Sequence, residues 1–393
     1  MDWKRVLRSY DYPLLLATIA PGVFGIVMVY ASIHAPGIPA SVANAHPGLW
    51  GRQRMFIISG TVLMIGFSLI DYHFITRFYL YIYALMMVLL IVVFAIGADD
   101  ATGTARWLWI PVPGYGLLSM QPSEFAKVFM IIFLAKFLAV KRDSFNHVLW
   151  LMLIFVLIAV PTFFVVIQPS LSASMVVLSI SLTVLFVGGL YYRTILIGLL
   201  AIAPVAVVAW LDMNRREPLF LLRLLGDFQW GRIQTWLRPE EATPDQIRQI
   251  AGSLYAIGSG GATGRGFMEN PHIILAHNDF IFSVVAAQFG FWGGIVLLAV
   301  VAFIIVRCIF IALRAVDMEG RLIAAGVAGM LIFETFFHVG VATALLPNTG
   351  MPFPFLSYGG SMIWVHMIAM GLVLNVKLPR KPKSMFADED GFD

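Results

Sequence analysis

Asp279 stands where a polar tetrad, AHND, turns into the long apolar run FIFSVVAAQFGFWGG. A carboxylate at the mouth of an apolar segment is costly unless compensated, so it marks a candidate functional site. Its other use is capping, since Asn278 and Asp279 can accept from the free N–H groups of a helix that begins at Phe280. Glu124 and Lys127 are three residues apart and share one helical face. They form either a self-neutralised ion pair or the charged wall of a wet cavity. Arg106, in GTARWLW, offers the fork that holds phosphate bidentately. Beside Trp107 and Trp109 it equally suits a lipid-headgroup anchor. Glu334 and His338, four apart, read as a buried hydrogen-bonded pair, because no further residue has the spacing of a metal ligand. Lys136 faces away from Lys127 and reads as structural, snorkelling to the inner surface. IGSGGATGRG lacks the GK[ST] ending of a phosphate loop and reads as a flexible turn, with backbone N–H groups available to an anion.

The elements that position these residues are membrane spans. The 393-residue chain is 60% hydrophobic and 12% charged, where a soluble domain carries about 25% charge. Mean hydropathy is +0.87. Apolar segments near 12–34, 55–70, 78–97, 122–140, 147–167, 171–190, 194–212, 280–306, 322–346 and 361–377 predict ten transmembrane helices, most close to the ~20 residues that cross a bilayer. The first is too long for a cleavable signal. The fold class expected is therefore an all-α integral membrane protein, one polytopic domain over 1–393. A long extracytoplasmic loop at 213–278 joins spans seven and eight, and the acidic tail at 384–393 is disordered.

Charge sets the orientation. With the N-terminus inside, the inner segments hold Lys4, Arg5, Arg8, Arg77, Lys141, Arg142, Arg193, Arg307, Arg314, Arg321, Lys377, Arg380, Lys381 and Lys383. The short outer loops hold Arg52, Arg54 and Arg106. Both termini are expected in the cytoplasm. The net charge of +4 is thus a topology signal, not the footprint of a nucleic-acid binder. Cys308 is the single cysteine, which excludes an internal disulfide. On the outer side, EPLFLLRLLGDFQWGRIQTWL reads as an amphipathic helix on the membrane surface. Two Gly/Pro-rich segments, 101–124 and 346–361, flank spans that carry polar residues. Irregular backbone at membrane depth survives where it lines a cavity, so these segments predict a cavity open to the outside.

Read together, TARWLWIPVP…QPSEFAK (104–127), IQPSLSAS (167–174), RIQTWLRP (232–239), SLYAIGSGGATGRG (253–266), HNDFIF (277–282) and LPNTGMPFPFLSYGGS (346–361) resemble the SEDS family, the RodA, FtsW and SpoVE proteins of bacterial elongation, division and sporulation. The resemblance implies a peptidoglycan glycosyltransferase of the bacterial cytoplasmic membrane. Such an enzyme polymerises lipid II and releases undecaprenyl diphosphate, beside a class B penicillin-binding protein that crosslinks the strand. It implies that Asp279 matches the family's essential aspartate. Arg106, Glu124 and Lys127 match polar positions of its central cavity. A divalent cation, magnesium or manganese, is compatible with the family. The chain departs from the family at Ser170, where Asp or Asn is common, and at Glu334 and His338, where Gln and Asn are common. Ala286, Ala287 and Gln288 stand where an acidic pair often follows DFIF, which leaves no second carboxylate there.

Two function classes fit these residues. In a polymerase, Asp279 takes a proton from a sugar hydroxyl while Arg106 and Lys127 hold a diphosphate. In a flippase for the same lipid, the Glu124–Lys127 pair lines a path. A flippase needs polar residues in both halves of the bilayer, and here they cluster in the outer half, which favours the enzyme.

Overall fold

The computed structural model describes residues 8–36, 48–99, 105–112, 116–142, 144–168, 170–213, 227–269 and 276–378. Each of the ten apolar segments is a helix. We label these α1 (Tyr12–His34), α2 (Leu49–Leu69), α4 (Tyr79–Ile96), α5 (Pro122–Val140), α6 (Val148–Ile167), α7 (Leu171–Val187), α8 (Tyr192–Met213), α11 (Ile281–Leu313), α12 (Met318–Ala342) and α13 (Gly360–Lys377). A short α3 (Tyr72–Thr76) follows α2, and α9 (Asp227–Leu237) and α10 (Pro244–Gly260) lie between α8 and α11. Among the described residues, α1, α6, α11, α12 and α13 are long and apolar enough to cross a membrane, and two shorter apolar helices accompany them. The chain is a multi-pass membrane protein.

Local chemistry explains where the helices begin. Asp11 caps α1 by accepting from the Leu14 N–H at 3.2 Å. Asp317 caps α12 by accepting from the Gly320 N–H at 2.8 Å. Pro122 opens α5 at a position where a missing N–H does no harm. The core lies where α5, α12 and α13 meet, around Met130, Leu134, Val327, Met330, Ile363 and Met370, all fully buried. Ala324, Ala325, Gly326, Ala328 and Gly329 give α12 the small-residue face that lets membrane helices approach closely.

The structure departs from the sequence expectations in four places. The segment before α5 is not wholly irregular. A β-hairpin forms there, with β2 (Ala105–Val112) antiparallel to β3 (Gly116–Met120) in the register Leu108↔Met120 to Val112↔Gly116, and a two-residue β1 (Ala98–Asp99) on the other edge. Alternating aromatic and β-branched residues in ARWLWIPV favour strand, and Pro111 disfavours helix. α2 starts at Leu49 rather than 55, so Arg52 and Arg54 lie within its first turns. The amphipathic helix expected over 217–237 is described from Asp227 onward, residues 217–226 lying outside the described residues, as does the acidic tail. The outer connection also holds a second amphipathic helix, α10.

The fourth departure is the Gly-rich segment. Gly290 interrupts α11 with φ 66° and ψ −163°. The break would orphan backbone groups on both sides, and the 261–266 turn satisfies them reciprocally. The N–H groups of Arg265 and Gly266 donate to the carbonyls of Ala287 and Gln288 at 2.9 and 3.2 Å. Phe291 and Trp292 donate back to Gly261 and Ala262 at 2.9 and 3.2 Å. A Cβ on Gly264 would stand 2.1 Å from the Gln288 carbonyl oxygen, and one on Gly290 2.3 Å from the Gly264 nitrogen. The turn is thus a splint for a broken helix, and the N–H groups of Arg265 and Gly266 are taken up in it.

At the end of the bundle that carries the start of α1, polar side chains close on one another. Asp11 accepts from Arg307 on α11 and from Lys377 on α13. Asp317 accepts from the Tyr72 hydroxyl at 2.6 Å and pairs with His73 at 2.9 Å. Glu319 accepts from the Thr76 hydroxyl at 2.7 Å and from the Lys136 ammonium.

Candidate functional site

Three segments converge around Asp279. The first is the turn before α11. Its backbone is clamped by 353–358: the Ser357 hydroxyl donates to the Asn278 carbonyl at 2.7 Å, and the Tyr358 N–H to that of His277 at 2.8 Å. The second is α9, whose Arg232 donates through Nη1 to the Asn348 carbonyl at 3.2 Å, and whose Trp236 donates to the Ala344 carbonyl at 3.0 Å. The third is 346–351, where the Asn348 side chain donates to Gln249 of α10 at 3.0 Å and accepts from the Gly350 N–H at 3.1 Å. Gly350 has φ 70°, and a Cβ there would lie 3.2 Å from Arg232 Nη1 and 3.4 Å from Asp279 Oδ2. The carboxylate and the guanidinium therefore face each other across a residue with no side chain.

Asp279 does not cap α11. The residue at the cap position is Phe280, and no side chain accepts there. The Asp279 carboxyl is buried, and among the described residues it takes part in no hydrogen bond. Burial pushes its proton affinity above the usual carboxylate range, while Arg232 and then Arg106 pull it back. Burial likewise lowers the proton affinity of Arg232, which Asp279 opposes and Arg106 reinforces. Arg106, on β2, thus belongs to the same electrostatic group although its helix-free segment is far away in sequence.

Arg106 and Arg232 also share a cavity of about 350 Å³. Gln229, Trp236, Asn348 and Thr349 add polar edges, and Leu171, Met175, Ile233 and Phe337 supply apolar wall. Two guanidinium groups beside an apolar wall suit an anion attached to something greasy. A larger cavity of about 450 Å³ between α1 and α11 has walls such as Phe24, Val285, Phe289 and Leu297 and no charged group.

Glu124 and Lys127 sit apart from this arrangement. They do share a face of α5, with Lys127 Nζ 2.8 Å from Glu124 Oε2. The same ammonium lies 2.8 Å from Glu334 Oε1 on α12, and the residue is only 2% exposed. Two of the three donors of this ammonium are thus taken by carboxylates, and Lys127 is not among the residues that line the cavity of Arg106 and Arg232 described above.

The expected Glu334–His338 pair does not form. Glu334 turns to Lys127 and to His366. His338 donates from Nδ1 to the Met351 carbonyl at 2.7 Å, and its Nε2 meets the Phe282 N–H at 3.5 Å, which ties 346–351 to the start of α11. Residues four apart on a helix share a face only broadly, and here the neighbouring elements pull the two side chains different ways. Ser170, in the turn between α6 and α7, meets the Gln121 amide at 3.4 Å.

No group of three or more His, Cys, Asp or Glu side chains poised for a metal ion occurs among the described residues. Asp279 is a carboxylate in the field of two arginines, and Ala286, Ala287 and Gln288 add no acidic ligand. These residues do not fit a divalent cation held by the protein.

Sequence reasoning missed Arg232, Asn348 and Gly350 as site residues. RIQTWLRP and LPNTG stood out as segments, but nothing in either says that they meet at Asp279.

Residues 12–381 match the family model FtsW/RodA/SpoVE, described as cell cycle protein. A probable peptidoglycan glycosyltransferase FtsW of Trichlorobacter lovleyi is 32% identical over 94% of this chain and 93% of its own length. The peptidoglycan glycosyltransferase MrdB of Escherichia coli K12 is 32% identical over 96% of each chain. Among solved structures, a chain from work on coordinated polymerization and crosslinking by a peptidoglycan synthase complex matches with TM-score 0.74 and 28% identity, covering 94% of this chain and 97% of that one. The Thermus thermophilus rod shape determining protein RodA matches with TM-score 0.65 and 26% identity, covering 94% and 96%.

Proposed function

The chain belongs to the FtsW/RodA/SpoVE family of cell cycle proteins, and from that premise we propose that it is a peptidoglycan glycosyltransferase that polymerises lipid II at the outer face of the bacterial cytoplasmic membrane. The observation that carries the site assignment is a buried carboxylate that has no hydrogen bond among the described residues, set across Gly350 from an arginine that shares a cavity with a second arginine. In this reading Asp279 removes the proton from the acceptor sugar's hydroxyl as that oxygen attacks the donor's anomeric carbon. The bond from that carbon to the diphosphate breaks, and undecaprenyl diphosphate leaves. Arg106 and Arg232 hold the diphosphate and take up the charge it gains, the kind of preorganised stabilisation that lowers such barriers. The apolar wall accommodates the polyprenyl chain next to the headgroup. Glu124 and Lys127 support α5 beneath the site.

The orientation proposed with it has ten crossings, both termini inside and 213–278 outside. Reporter fusions within 240–245 and after Lys383 test it, and an outside C-terminus would refute it. A class B penicillin-binding protein is the proposed partner, supported by the likeness to a chain of a peptidoglycan synthase complex. Adding that transpeptidase should raise polymer yield. An unchanged yield would remove the partner from the proposal.

The deciding assay is purified protein in detergent with lipid II. Polymer is expected from the wild type and none from Asp279→Asn. Since flipping has no meaning without a bilayer, the same assay separates polymerase from flippase. Polymer from a well-folded Asp279→Asn protein would end the assignment of Asp279 as base.

A further inference from the structure

Four ionisable side chains form a chain through the middle of the bundle, away from Asp279. Glu124 Oε2 and Glu334 Oε1 each lie 2.8 Å from Lys127 Nζ. Glu334 Oε2 lies 2.5 Å from His366 Nε2, and His366 Nδ1 lies 2.7 Å from the Met362 carbonyl oxygen, one turn back on α13. Lys127, Glu334 and His366 are at most 2% exposed and Glu124 is 7% exposed. The chain links α5, α12 and α13.

Donor accounting constrains the protons. A carbonyl oxygen only accepts, so His366 Nδ1 carries a hydrogen. Glu334 already takes one charge-assisted bond from the Lys127 ammonium, which favours the carboxylate form. With Glu334 ionised, the oxygen facing Nε2 accepts and Nε2 donates; a proton carried instead on that oxygen and given to a neutral ring leaves the total charge the same and differs only in where the proton sits. A histidine that donates from both ring nitrogens is an imidazolium. With Lys127 it supplies two positive charges against the two carboxylates, and the buried set has no net charge. Remove the imidazolium and one negative charge is left in a low-dielectric interior, where an uncompensated ion is strongly destabilising.

We propose that Glu334 and His366 are a compensating pair, with His366 as a buried imidazolium, that lets α5 carry Lys127 and Glu124 into the bundle at zero net charge. His366 is in these terms a positioning residue. It acts through Glu334 on Lys127 and so on the start of α5, which follows directly from the hairpin that bears Arg106. The Gln121 N–H donates to Ser361 at 2.9 Å and ties that same junction to the first turn of α13. The pair does not depend on which reaction the outer site performs.

The test is a charge-balance cycle on the full chain in detergent. His366→Asn keeps an amide donor toward Glu334 but removes the positive charge, and should lower the melting temperature. Glu334→Gln should be tolerated, because the amide can accept from Lys127 and donate to a neutral imidazole. The double variant should recover most of the melting temperature lost by His366→Asn. If His366→Asn yields no folded protein, recovery of folded protein in the double variant is the same result. Nitrogen-15 spectra of histidine-labelled protein should show one buried ring protonated on both nitrogens, absent from the His366→Asn spectrum. A double variant no better than His366→Asn, or a His366 ring with a single N–H, would overturn the proposal. A loss of polymerase activity with the melting cycle intact would bear on the outer site and leave the pair standing.

Discussion

A base must be deprotonated to work, yet Asp279 is buried, and burial raises its proton affinity. The two arginines hold the balance. Arg232 is the stronger influence and Arg106 the weaker, and both lower the value that burial raises. Polymerisation should therefore fall as pH drops through the raised value. In Arg232→Gln the acidic limb of the rate profile should move to higher pH, and in Arg106→Gln it should move less. A limb that stays in place in both variants would show that Asp279 is not the titrating group. The same shift has a stability consequence. Because the folded carboxyl binds its proton more tightly than the unfolded one, its contribution favours folding at low pH and is lost as pH rises through the folded value. Asp279→Asn should thus melt no lower than wild type at neutral pH while losing the ~10²–10⁴-fold that a positioned base supplies. The sequence made Asp279 and Arg106 legible because charge is conspicuous against an apolar background. Arg232 was hidden by its company, since an arginine in an amphipathic helix has the surface as its ordinary home. Only the tertiary meeting of α9 with 346–351 separates it from the other arginines of that connection.

The broken α11 is the element on which the site leans, because its first part, Ile281–Phe289, follows directly from Asp279. Gly290 and Gly264 interlock at distances no Cβ can share, and both have positive φ. Gly290→Ala should cost more than the ~1–3 kcal/mol of a side chain forced into a glycine-only backbone conformation, because the added carbon also collides with backbone that cannot move aside. Gly258, on α10 with nothing within 4 Å of its added Cβ, is the control. Gly258→Ala should be neutral or stabilise by about 0.5–1 kcal/mol. Thermal melting of both variants in detergent decides the matter, and equal effects would remove the splint from the account. Helix positions were readable from hydropathy because lipid forces long apolar runs into helices that satisfy their own backbone. The hairpin was not, because the Gly and Pro residues of 101–124 mark irregular backbone as readily as a turn between strands; the splint was not, because it pairs the backbones of 261–266 and 287–292, where a glycine's reason for being there lies in its spatial neighbour. The Gly-rich turn looked like a phosphate loop for the same reason: both uses need backbone N–H groups exposed at close range.

Over the whole molecule, the two ends of the bundle are built oppositely. At one end a carboxylate that has no hydrogen bond among the described residues faces an arginine that lines a cavity, and the other end closes its charges on one another. The closed end is centred on Asp11, which accepts from Arg307 and Lys377 and so joins the start of α1 to α11 and to the last turn of α13. These are the helices that a first, an eighth and a tenth crossing would bring together, so this carboxylate fastens the chain's beginning to its end. Although burial works against the charge, hydrogen bonds from Lys377 and Arg307 and from the Leu14 N–H hold the Asp11 carboxyl below the usual carboxylate range. A carboxylate depressed in this way stabilises the fold above its unfolded value and loses that contribution as pH falls through the folded one. Asp11→Asn isolates the ion pairs, because asparagine caps a helix as well as aspartate does. Both cations are about one-third exposed, so the loss should lie between that of surface and buried pairs, about 1–2 kcal/mol. The variant's melting temperature should fall below wild type at neutral pH, and the gap should close in acid, where the wild-type carboxyl is itself protonated. Polymer yield well below the melting temperature should not change, since the site lies at the other end. A gap that persists unchanged into acid would mean that the loss does not come from the ion pairs of the ionised carboxylate.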